Sequence, residues 1–180
     1  FSKVFSFAAI GALVVVGSTL AASVNLNSGQ NVEFGQGIAV TASCDTEITL
    51  TPYAEFVNHS ESGSFYFSGF KLSDVDTAAC NGVSFTLKAY GNSSSTPLTL
   101  FSTNTSAVVV DSATVFSVGE NQSGLTLSDT GTAGAFTANF TSPIALASDV
   151  YKITLETSGN SSYVSASVYI TGSIIFSSVS

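Results

Sequence analysis

Val83, Phe85, Leu87 and Ala89 alternate with Ser84, Thr86 and Lys88, so an extended segment there has one apolar and one polar face. The same period-two pattern returns at Tyr151, Ile153 and Leu155, interleaved with Lys152, Thr154 and Glu156. It appears again at Val164, Ala166, Val168 and Ile170 against Ser165, Ser167, Tyr169 and Thr171. Further strands are predicted over residues 37–43, 47–51, 64–70, 98–102, 107–110, 114–118, 125–127 and 135–140. Turn-forming clusters separate them, among them Asn27-Ser28-Gly29, residues 91–95, Asp129-Thr130-Gly131 and residues 158–161. Short strands at regular spacing predict an antiparallel β-sandwich, Ig-like or jelly-roll-like, over residues 23–180. No segment after residue 23 carries a helical period, and the length suits one domain with a substantial core.

Ahead of this body, residues 5–22 form an uncharged apolar run. About 18 such residues approach the length of a membrane-spanning helix, and the position is that of an export segment. Two readings follow. In one, the run is a secretory signal peptide, with Lys3 in its charged region, residues 5–16 as the apolar stretch and Thr19-Leu20-Ala21 before the cleavage point. In the other the run is retained as an assembly and membrane helix over residues 1–22. The chain opens on Phe1 and is apolar almost at once, with Phe5 where bacterial type IV pilins carry Glu. Over roughly these first 25 residues it resembles an archaeal-type type IV pilin after prepilin-peptidase cleavage. That resemblance implies a segment, lined by Phe5, Phe7, Ile10, Leu13, Val14, Val15, Val16 and Leu20, that first sits in the membrane and then packs in a filament core. A β-variant is also open, in which residues 8–16 donate a strand to a neighbour's sheet edge.

Charged residues are only 9% of the chain, with four Lys, no Arg and a net charge of −8. Such a surface repels phosphates, which argues against nucleic acid as a partner. Ser and Thr make up about 29% of the residues and carry the solubility that charge does not. This composition suits secreted β-proteins and subunits that lie against copies of themselves.

Cys44 and Cys80 are the two cysteines, 36 positions apart. In an exported chain such a pair is expected to form a structural disulfide, whereas a redox pair wants close Cys-x-x-Cys spacing. Six Asn-x-Ser/Thr sequons begin at Asn58, Asn92, Asn104, Asn121, Asn139 and Asn160. Asn58, Asn92, Asn121 and Asn160 are expected in loops, Asn104 just beyond a strand and Asn139 within one. In a chain this rich in Asn, Ser and Thr several matches arise by chance; glycosylation of the outer surface is the functional reading.

No catalytic apparatus stands out. His59 is the sole histidine, it lies inside a sequon, and no Gly-x-Ser-x-Gly elbow is present. Glu33, Glu47, Glu55, Asp74, Asp76 and Glu156 are scattered, with nothing to select a pair for glycoside chemistry. Asp45, Asp74 and Asp76 offer oxygen ligands but lack a calcium-loop pattern. Gly35-Gln36-Gly37 lacks a third glycine and a following helix, so it reads as a turn or bulge. No cofactor or metal is expected. The sequence predicts a non-enzymatic structural subunit of an extracellular, cell-surface filament, whose partners are copies of itself and, before assembly, the membrane. The alternative is a monomeric secreted binding module without residues 1–22, offering Tyr53, Tyr66, Tyr90 or Tyr163 to a glycan or protein.

Overall fold

The computed structural model describes residues 23–25, 34–40, 42–58, 63–113, 115–159 and 167–171. The predicted helix over residues 1–22, with all eight of its assembly side chains, lies outside them, as do Glu33, His59, Asn160 and Tyr163. Where polar and apolar residues alternate, the chain is extended. The strands are β1 (Ser23–Asn25), β2 (Ile38–Val40), β3 (Ile48–Asn58), β4 (Gly63–Ser73), β5 (Ser84–Tyr90) and β6 (Ala107–Asp111). They continue as β7 (Phe116–Val118), β8 (Leu125–Ser128), β9 (Phe136–Phe140), β10 (Lys152–Ser158) and β11 (Ser167–Thr171). A single 3-10 turn, Ala147–Asp149, is the helical element among the described residues.

The strands form two sheets, one in the order β1-β11-β10-β5-β6-β7 and one in the order β2-β3-β4-β9-β8. Every pairing is antiparallel except that of β1 with β11. Phe85, Leu87, Val109, Ile153 and Leu155 from the first sheet share one core with Ile48, Leu50, Phe67, Phe70 and Leu72 from the second. Each such side chain contributes roughly 1.5–3 kcal/mol by leaving water. A chain of aromatic contacts runs through this core: Phe34 on Phe67, Phe67 on Phe140, Phe140 on Phe70 and Phe101, then Phe70 on Phe136 and Phe136 on Phe116.

β4 departs from strict alternation, because Phe67 and Phe70 are both fully buried. A bulge accounts for it. Tyr53 pairs with Gly69 but Ala54 pairs with Phe67, so Ser68 has no opposite number and the facing of β4 resets by one residue. Gly69 is required there, since a Cβ would run into the carbonyl oxygen of Ala138 on β9.

β3 is longer than the predicted 47–51 segment and passes through Pro52. Proline is tolerated because β2 pairs only with Ile48, Thr49 and Leu50; beyond them no ladder donor is needed on that side. There the Gly35 N–H reaches Pro52 O at 2.8 Å, and Gly35, at φ 90°, makes the turn expected of Gly35-Gln36-Gly37.

Residues 98–102 are not a strand. Leu100 and Phe101 are both buried, Ser102 has φ 50°, and Asn104 N–H closes onto Phe101 O at 2.8 Å, so a tight turn replaces extension. β7 begins at Phe116 rather than at 114, after Ala113 at φ 63°.

Candidate functional site

The loops at one end of the sandwich are tied covalently. Cys44, between β2 and β3, is bonded to Cys80, between β4 and β5, with Cα atoms 5.1 Å apart. The acids here act on the backbone. Asp45 accepts from Glu47 N–H at 3.0 Å through Oδ1 and from Asp76 N–H at 2.7 Å through Oδ2. Asp76 Oδ1 in turn accepts from the N–H groups of Ala78 and Ala79, both at 3.0 Å. These carboxylates pin loops, and among the described residues no three His, Cys, Asp or Glu side chains converge as a metal site would require.

Asp111, at the end of β6, is a residue the sequence reading missed. It continues the inward phase of Ala107 and Val109 and is fully buried. Its Oδ1 accepts from Ala113 N–H at 2.8 Å, and its Oδ2 has no hydrogen-bond partner among the described residues. Burial pushes the carboxyl above the usual aspartate range, against the pull of the Ala113 N–H. Nearby, a cavity of about 250 Å³ opens between the β4–β5, β6–β7 and β8–β9 connections, lined by Thr77, Phe116, Thr130, Gly134 and their neighbours. That lining offers hydroxyls and backbone but no ionisable side chain.

At the opposite end, β3 and β4 outrun their neighbours. They pair with each other from Thr49 and Ser73 out to Asn58 and Gly63, while β9 accompanies β4 only over residues 69–72. Past that point the β4 side is held at Phe67, whose N–H donates to Ala145 O at 2.9 Å, and at a bridge between Tyr66 and Leu146. On the β3 side, no backbone hydrogen bond beyond Pro52 is made to any described residue outside the hairpin. Phe56 and Phe65 face each other on this ribbon, ring centroids 5.3 Å apart and edge to face. Both follow the phase of the buried Ile48, Leu50 and Phe67, yet Phe56 is 57% and Phe65 41% exposed. The inner apolar face of the second sheet therefore continues past the part that the first sheet covers.

The sequons lie on several elements. Asn58 is the last residue of β3 rather than a loop residue, because the hairpin extends further than its alternation indicates. Asn92 and Asn121 are exposed in turns, the latter at φ 57°. Asn104 is half-buried in the turn after Phe101. Asn139 is exposed within β9, where its Nδ2 donates to Ser128 Oγ at 3.1 Å. Of the tyrosines, Tyr53 and Tyr66 are half-buried, and Tyr90 is buried beneath Lys152, whose Nζ stands 4.3 Å from the ring centroid. Among the described residues no helix is long and apolar enough to cross a membrane. Compared with protein-family models, curated proteins and solved structures, the chain matches none.

Proposed function

We propose that this chain is the structural subunit of an extracellular pilus-like filament, polymerising through its apolar N-terminal segment while the β-domain forms the outer wall. One observation carries the reading: an uncharged apolar run over residues 5–22 precedes a body whose described residues form two sheets on a shared core. Such a run is not stable exposed to water, since each larger side chain gains roughly 1.5–3 kcal/mol on burial. A membrane buries it before assembly, and copies of the same segment or a neighbouring subunit bury it afterwards. Subunits joined head to tail without closure give a fibre. The Cys44–Cys80 bridge fits the oxidising compartment this requires.

The finer fold assignment is Ig-like. The order β3-β4-β9-β8 against β11-β10-β5-β6-β7 corresponds to the ABED and GFCC′C″ sheets of the variable-type sandwich. Its hairpins and sheet crossings fall in the matching places. The cystine differs, joining two loops at one end in place of the B and F strands.

The test is deletion of residues 1–22. The remaining domain is expected to be a soluble, folded monomer, and the full-length chain to form regular filaments in electron micrographs. A full-length chain that stays monomeric at high concentration would refute the reading.

A further inference from the structure

We infer that the exposed half of the β3–β4 ribbon is the acceptor for residues 8–16 of a second copy of this chain, which add to the β3 edge as a strand and pack beside Phe56. The inference rests on the filament reading and specifies its joint.

Three features of the ribbon define what fits it. The first is a backbone edge. Pro52 O points away from β4 to meet Gly35 N–H. By the alternation of an antiparallel strand, the N–H and C=O groups of Ala54, Phe56 and Asn58 point the same way. Past Pro52 these groups meet no described residue outside the hairpin. An edge of this kind is a template for an added strand. The second is an apolar face. The Phe56–Phe65 pair continues the inward phase of Ile48, Leu50 and Phe67 on the same side of the sheet, with Phe56 57% and Phe65 41% exposed. The third is extent. Beyond the last β9 partner at Gly69 the ribbon keeps full register to Asn58 and Gly63, and its β3 side pairs with no described residue outside the hairpin past Pro52.

The chain itself supplies a segment of matching chemistry. Residues 8–16 carry no charged and no hydrogen-bonding side chain, and they include Ile10, Leu13 and the β-branched run Val14-Val15-Val16. Such residues favour a strand that is apolar on both faces. Competing occupants in the same chain are residues 172–180, where Ile174, Ile175 and Phe176 stand among four serines, and residues 26–33, which precede the Phe34–Gly35 turn. With Asn27, Ser28, Gln30, Asn31 and Glu33 among eight positions, the latter offer little to pack beside a phenylalanine. The length of apolar chain ahead of β1, and its lack of charge, favour the N-terminal segment. Supplied in trans, it makes each subunit both donor and acceptor, which propagates without closure.

The experiment uses full-length protein with Phe56→p-benzoylphenylalanine, mixed with isotope-labelled wild-type chain, polymerised, irradiated and mapped by mass spectrometry. The expected product joins position 56 of one chain to residues 8–16 of the labelled one. In parallel, Phe56→Ser is expected to reduce the protein recovered in filaments at least tenfold while the monomer stays folded, its melting temperature lowered by no more than a few degrees. Filaments whose position 56 joins residues 26–33 or 172–180, or another surface, would overturn the inference and leave the filament reading standing. Normal polymerisation of Phe56→Ser would do the same. Absence of filaments from wild-type protein would overturn both.

Discussion

Asp111 is the residue whose environment is least balanced. One carboxyl oxygen meets the Ala113 N–H and the other has no hydrogen-bond partner among the described residues, in a fully buried position. Folding raises its proton affinity, because burial disfavours the charge. The sign of the stability effect follows. The contribution is complete below the ordinary aspartate range and is lost as pH rises through the raised folded value. Asp111→Asn keeps an oxygen for Ala113 and cannot ionise. Across about pH 3 to pH 7, wild type is therefore expected to lose stability relative to Asp111→Asn in denaturant titrations; a difference that stays flat with pH would contradict the assignment. Gly69 is the second sensitive position. A methyl group there strikes the Ala138 carbonyl across the β4–β9 ladder, and neither strand can retreat without breaking its pairing. Gly69→Ala is expected to destabilise the domain by about 2 kcal/mol or more, read from the midpoint of urea unfolding.

At the scale of elements, the disulfide staples the β2–β3 connection to the β4–β5 connection across a separation of 36 residues. Cys44→Ser with Cys80→Ser is expected to cost roughly 3–4 kcal/mol by the chain-entropy estimate, measured as the fall in unfolding free energy. Peptide mapping without reductant should find no alkylatable thiol. The pairing was legible in the sequence because two cysteines leave one choice. β5 and β10 were legible because each has one face in the core and one in water, which writes alternation directly into the residues. The far halves of β3 and β4 were not. Pro52 looks like a stop until β2 is known to pair with β3 only as far as Leu50, and the bulge at Ser68 places Phe67 and Phe70 on one face where simple alternation separates them. Leu98 and Leu100 mimic a strand, but a turn at Ser102 and Thr103 intervenes. Neither Asp111 nor the Phe56–Phe65 ledge carries a sequence signature. Their burial and exposure are set by where other strands end.

At the scale of the whole molecule, the same hydrophobic effect acts in two places. Inside the domain it holds two sheets on a shared core; in residues 5–22 it leaves an apolar run with nothing in its own sequence to shield it. On the proposed reading the two act separately, which makes assembly and folding independently testable. Val14→Asp puts a carboxylate in the middle of the run, at a cost of several kcal/mol per buried copy unless it is paired. The β-domain of this variant is expected to melt at the wild-type temperature while polymerisation is lost. Electron microscopy of the full-length chain beside the 1–22 deletion and Val14→Asp tests the central claim most directly. Regular filaments from wild type alone, with both variants folded and monomeric, is the expected result; monomeric wild-type protein at high concentration, with no fibres in the micrographs, would contradict it.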